Sequence, residues 1–160
     1  MKYAENRTET RREDWSTPKE LFDYLDTYFG FEVDLAADGV NTKCDMFYNL
    51  EIDFFRQPVL RNRCWCNPPY GRDHNKIWPI RLMEYPNIVV LHQASVGANW
   101  FQVFFEKSDL ICFPKGRIQF EGAPAKAQFD SVLVVRLSDK SELPGCARHL
   151  EVLGPVVKKP

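Results

Sequence analysis

The sequence predicts an α/β domain built on a mostly parallel sheet, and three observations carry that reading. Strand-like and helix-like segments alternate through the middle of the chain, the pattern of parallel strands joined by crossover helices. Ile88-Val89-Val90-Leu91-His92 is a near-continuous apolar run, as a strand needs when helices cover both its faces. Two segments dense in chemistry-bearing side chains, Asp34–Asp38 and Asn67–Tyr70, each fall at the carboxyl end of a predicted strand. Ligands of such sheets bind at the carboxyl ends of strands, so the two segments are expected to share one site.

The elements follow in order. Residues 1–14 form a polar, charged arm, and 15–160 read as one domain. Ser16 or Thr17 caps a first helix, Pro18 suits its first turn, and Glu20 faces the positive end of its dipole. Leu21, Phe22, Leu25, Tyr28 and Phe29 recur at helical spacing until Gly30 ends the run. Phe31–Ala36 is a short strand leading into the small-residue turn Ala36–Gly39, and Asn41–Tyr48 is a short helix or a loop. Asp53-Phe54-Phe55 precedes a turn at Gln57-Pro58. Arg63–Cys66 is a strand that the two prolines after Asn67 bring to a stop. Ile77–Met83 is a helix interrupted by Pro79, and Asn99–Lys107 is an aromatic helix whose Trp100, Phe101, Phe104 and Phe105 face a core. Leu110–Phe113, Arg117–Phe120 and Ser131–Arg136 are strands, Gly122–Ala127 is a loop, and the tail is irregular.

Composition bounds the function. The 160 residues fit one domain, and 44% hydrophobic with 14% aromatic residues is enough for a core. The formal net charge of −1 lacks the basic excess of a dedicated DNA-binding module. Any nucleic-acid contact must therefore rest on a local patch, for which Arg61, Arg63, Arg72, Lys76 and Arg81 are the candidates. A homodimer, a partner protein or weak affinity would reconcile DNA binding with that charge. No apolar run approaches the roughly 20 residues needed to cross a bilayer, so no membrane partner is expected. Five cysteines and a polar start argue for reduced thiols in a cytoplasm. Cys44, Cys64, Cys66 and His74 lack the second ligand pair of a zinc ribbon, so no metal is expected. Buried thiols on a strand are the simpler reading. His74 and His92 have no nameable partner and read as structural.

Asn67-Pro68-Pro69-Tyr70 carries the chemistry. The exocyclic amino group of adenine is a poor nucleophile because its lone pair is delocalised into the ring. Two acceptors that take both amino hydrogens pull the nitrogen toward a tetrahedral shape and free that pair. The Asn67 side-chain oxygen is one candidate acceptor and the Pro68 carbonyl is the other; the alternative is an ordinary Pro-Pro turn after a strand with Tyr70 as a surface aromatic. The two prolines rigidify the turn and preorganise both oxygens. Tyr70 offers a flat face for a base flipped out of its stack.

Asn-Pro-Pro-Tyr after a strand is the hallmark of amino-methyltransferases, and more of the chain agrees. Trp15-x-Thr17-Pro18, Asp34-Leu35-Ala36-Ala37, Cys66–Gly71 and Gly116-Arg117-Ile118-x-Phe120 occur in an order that resembles the small phage-encoded DNA N6-adenine methyltransferases. The resemblance covers roughly residues 15–136. It implies a compact, truncated Rossmann-like fold, S-adenosylmethionine as cofactor, DNA as partner, and the cytoplasm of a bacterial host or of a bacterium carrying a prophage. It implies that Trp15, Thr17 and Pro18 lie against the cofactor, and that Asp34 contacts its methionine part with Ala36, Ala37 and Asp38 close by. Asp53-Phe54 resembles the pair that holds the cofactor's adenine, and Asn67, Pro68, Pro69 and Tyr70 would hold the target base. Arg72, Lys76 and Arg117 are candidate substrate contacts.

The chain departs from the family in two ways. The usual glycine-rich cofactor turn is replaced by Ala36-Ala37-Asp38-Gly39. The offset from Asp34 to Asn67 is 33 residues, and one βαβ unit takes about 30, so strands or helices of a full doubly wound sheet are missing. Two other functions compete with DNA adenine methylation: methylation of an RNA base or a glutamine amide, and binding without turnover on the same fold.

Overall fold

The computed structural model describes residues 16–159, so the arm 1–14 and Trp15 lie outside the described residues. The predicted apolar stripe of the first helix forms α1 (Lys19–Phe29), which buries Phe22, Leu25 and Phe29. Gly30 ends it in a left-handed conformation, φ 59°, with its N–H bonded to the Asp26 carbonyl. The start differs from expectation. Pro18 itself occupies the cap position and no neighbouring side chain caps the helix. The N–H of Lys19 is taken instead by a distant carboxylate, Glu121 Oε1, at 2.8 Å.

Among the described residues seven strands form one sheet: β1 (Val33–Asp34), β2 (Met46–Phe47), β3 (Cys64–Cys66), β4 (Ile88–Gln93), β5 (Leu110–Cys112), β6 (Ser131–Arg136) and β7 (Val156–Lys158). Their order is β2-β1-β3-β4-β6-β5-β7. β2, β1, β3 and β4 adjoin in parallel, as predicted. β6 runs antiparallel to both β4 and β5, and β7 antiparallel to β5, so the sheet is mixed. The cause is local: β5 and β6 are joined without a crossover helix, and such a connection returns the chain antiparallel.

Helices cover both faces. α1 and α4 (Leu143–Glu151) pack on one face, where Phe22, Trp65, Leu91, Leu133 and Leu150 meet. α2 (Arg72–Leu82) and α3 (Gln102–Lys107) pack on the other, over Val33, Cys64, Val90, Trp78 and Phe104. Strand alternation explains the division, because Trp65 points one way while Cys64 and Cys66 point the other. Burying a side chain as large as Trp65 contributes roughly 2–3 kcal/mol.

Four further segments differ from expectation. Residues 41–48, read as a short helix or a loop, are a loop that also holds the edge strand β2. Residues 117–120 are irregular, and among the described residues the strand pairing of that region is the bridge between Ser16 and Glu121. α2 begins at Arg72, five residues before the predicted start, and runs through Pro79. The tail forms α4 and β7. Tyr24 stacks on His149 of α4 at 4.2 Å and donates its hydroxyl to the His149 carbonyl, which fastens that helix to α1. The missing elements lie between β1 and β3, where a loop and a 3-10 turn at Phe54–Arg56 replace crossover helices.

β7 returns to β5 past Gly154, where a Cβ would lie 2.0 Å from the Phe113 carbonyl oxygen and 2.8 Å from its carbon. Neither backbone atom is free to swing away. Gly154→Ala is therefore expected to cost roughly 2 kcal/mol or more and lower Tm by several degrees. At Gly39 a Cβ meets nothing within 4 Å, so Gly39→Ala should leave the thermal melt nearly unchanged.

Candidate active site

Strand register brings the two chemical segments together. Asp34 at the end of β1 is level with Trp65 of β3, and the Leu35 N–H donates to the Trp65 carbonyl at 2.9 Å. Continued two residues onward, that register sets Ala36 beside Asn67 on strands roughly 4.8 Å apart. On the other side Cys66 is level with Val90, which brings Leu91 beside Asn67. Asp34 and Asn67 thus share the carboxyl edge of the sheet.

Beyond β3 the prolines hold the chain extended. Pro68 is buried, and Asn67, Pro69 and Tyr70 are half-buried. Gly71 then turns the chain into α2 with φ 135° and ψ 164°, a conformation side-chain-bearing residues rarely adopt. The Tyr70 hydroxyl shares its one hydrogen between Asn67 Oδ1 at 2.9 Å and the Leu91 carbonyl at 3.1 Å. That bond helps orient the Asn67 amide oxygen. The Tyr70 ring lies 4.9 Å from His92 and 5.6 Å, edge-on, from Phe129. Its hydroxyl end is deep, and burial pushes its pKa up.

Asp34 is 3% exposed. Its two oxygens accept the N–H groups of Ala36 at 3.2 Å and Lys43 at 3.1 Å, tying down the loop after β1. Burial raises its pKa, and those two bonds act against the rise. Ala36 and Ala37 are half-buried, and exposed Asp38 closes its own turn by accepting the N–H groups of Val40 and Asn41. Thr17 is buried and Pro18 half-buried at the start of α1.

The Asp53-Phe54 pair is split by environment. Asp53 is exposed, caps the 3-10 turn through the Phe55 N–H and pairs with Arg56. Phe54 is 4% exposed, stacked 4.6 Å from Trp78 and 5.7 Å from Tyr85, so it is a core ring where the resemblance implies a cofactor contact. The predicted basic patch divides too. Arg63 pairs with Glu142 at 2.6 Å and Arg81 pairs with Glu84, at the opposite end of β3 and α2 from the Asn67 turn; Arg61 is exposed at that same end. Arg72 and Lys76 stay at the start of α2, exposed, with Lys76 3.4 Å from Asp73. Arg117 is exposed and bonds Asp130 at 3.3 Å, just before β6.

Two residues escape the sequence reading. Lys43 and Glu121 meet at 3.4 Å, though 78 positions separate them. No local pattern signals such a pair. His92 reads as structural from sequence, and it lies fully buried beside Tyr70, its Nδ1 accepting the Gln93 N–H at 2.8 Å. All five cysteines are buried free thiols, and burial pushes those of Cys44, Cys64, Cys112 and Cys146 up to about 12. Such thiols are poor nucleophiles. Among the described residues no helix is long and apolar enough to cross a membrane.

A family model described as DNA N-6-adenine-methyltransferase (Dam) matches residues 5–135. A protein of Escherichia phage T1 named DNA N-6-adenine-methyltransferase is 34% identical over 100 residues, covering 60% of this chain and 42% of that protein. The chain thus matches less than half the length of that relative. A protein of the same name from Haemophilus phage HP1 is 24% identical over 126 residues, covering 75% of this chain and 73% of its own.

Burial holds the His92 pKa down at about 3, against roughly 6.5 for an exposed imidazole. The unfolded chain therefore binds a proton that the fold excludes, so stability present above about pH 6.5 is lost as pH falls toward 3. Urea melts should show roughly 1 kcal/mol less stability at about pH 5.5 than at about pH 7.5. His92→Gln should flatten that difference; an unchanged slope would assign it to other groups.

Proposed function

The chain belongs to the DNA N-6-adenine-methyltransferase family, and from that premise we propose that it methylates the exocyclic amino group of a flipped adenine in DNA, with S-adenosylmethionine as methyl donor. The observation that carries this reading is the Tyr70 hydroxyl bonded to Asn67 Oδ1, on a turn beside the buried Asp34 carboxylate. Asn67 Oδ1 accepts one amino hydrogen, and the Pro68 carbonyl accepts the other. Both oxygens sit on a turn that cannot relax, so the nitrogen is polarised without reorganisation of the site. The half-buried Tyr70 ring stacks on the base. A nitrogen held this way needs no strong base before it attacks.

The donor set around Asp34 suits S-adenosylmethionine. A buried carboxylate complements the donor's ammonium group, and the alanines at 36 and 37 leave the backbone open to close approach. Thr17 and Pro18 would line the same space, with Asp38 and the exposed Asp53 at its rim. When bound, the donor supplies an electrophilic methyl group. Arg72, Lys76 and Arg117, exposed near the carboxyl edge, would contact phosphates.

Methyl transfer from labelled S-adenosylmethionine to unmethylated DNA, followed by digestion to nucleosides, tests the reading. N6-methyladenine is the expected product. Asn67→Ala should lower kcat by at least ~100-fold, the scale for removing a preorganised polar group, while donor binding persists. Asp34→Ala should weaken donor binding first. Tyr70→Phe keeps the ring and removes the orienting bond, so kcat should fall about three- to tenfold, in line with one hydrogen bond. Full activity in Asn67→Ala would overturn the assigned chemistry.

A further inference from the structure

Between β5 and β6 the chain runs irregularly from Phe113 to Asp130 along the carboxyl edge of the sheet. The segment is nonetheless held. Phe120 and Ala127 are buried, and the Ala127 N–H donates to the Ile118 carbonyl at 2.8 Å. Glu121 joins it to two other stretches. Its N–H donates to the Ser16 carbonyl at 2.9 Å, and its Oε1 accepts the Lys19 N–H at 2.8 Å. Its Oε2 takes the Lys43 ammonium at 3.4 Å, and the Lys43 backbone N–H donates to Asp34 Oδ2. The Lys43 side chain is only 15% exposed, so this ammonium is held in place and is not freely solvated.

We propose that Glu121 is a positioning residue for the methyl donor: its carboxylate fixes the Thr17-Pro18 turn and the Asp34 loop relative to each other, assembling the donor site before the donor arrives. This rests on the donor reading above. The loop after β1 has no helix to order it, and the start of α1 has no local cap. One side chain answers both deficits at once. A site ordered in advance spares the donor the cost of ordering it on binding. A partly exposed ion pair adds little to global stability, so the main effect falls on affinity.

The test is donor affinity measured calorimetrically beside thermal melts. Glu121→Ala is expected to raise the Kd for S-adenosylmethionine about tenfold, one decade of affinity. The rise should reappear in KM for the donor and not in KM for DNA. Glu121→Gln keeps an acceptor for the Lys19 N–H and loses the charge toward Lys43, so an intermediate rise of roughly threefold is expected. Lys43→Met should match it, and the double variant should cost less than the two singles combined. These two milder variants serve if Glu121→Ala does not fold. Variants that melt lower yet bind the donor with unchanged Kd would overturn the positioning role alone. If the unaltered protein failed to bind S-adenosylmethionine, the donor reading would fall, and this role with it.

Discussion

The site depends on the pairing of two very short parallel strands. β1 contributes two residues and β3 three, yet their register decides that Asp34 and Asn67 emerge on the same edge, one strand apart. A slip of one residue would turn Trp65 out of its core and bring Cys64 and Cys66 into it. The register is fixed by what each face must bury. Trp65 meets Phe22 edge-on at 5.5 Å on one side, while Cys64 and Cys66 pack beside Trp78 and Leu82 on the other. The packing of two opposite cores thus places a carboxylate beside an amide.

From that pairing outward, order is supplied by individual polar contacts. Asp34 ties its own loop through two backbone N–H groups, Tyr70 orients Asn67, and Glu121 reaches across to α1. The sheet supplies direction, and these side chains supply the last ångström. That division suits a chain in which a loop and a single 3-10 turn stand where two crossover helices would otherwise span β1 to β3.

The legible parts of the sequence were those written in local periodicity. Leu25 and Phe29 marked α1, Ile88–His92 marked β4, and the double proline marked the end of β3. The shared edge of Asp34 and Asn67 was legible because it follows from strand ends in a parallel sheet. What stayed hidden was decided at long range. β2 has two residues, too few to show a period, and owes its conformation to β1. α4 and β7 sit in a stretch containing Pro144, Gly145, Gly154 and Pro155, residues that read as breakers, yet packing on α1 and pairing with β5 impose order there. Phe54 was singled out by resemblance together with Asp53, and its stacking on Trp78 comes from a partner 24 positions away that no local pattern announces. Basic residues within a dozen positions of one another, Arg61, Arg63 and Arg72, were carried to opposite ends of β3 by the strand itself.

The two outermost strands carry a further consequence. β2 offers only Met46 and Phe47, and β7 ends in Lys158 followed by Lys159. An open sheet margin is a template on which a foreign strand can add, and natural proteins blunt such margins with brevity and lysine. Here one margin is too short to hold a useful ladder of hydrogen bonds. The other would force an incoming strand to lie against ammonium groups. Both margins of this open sheet therefore disfavour the addition of a foreign strand.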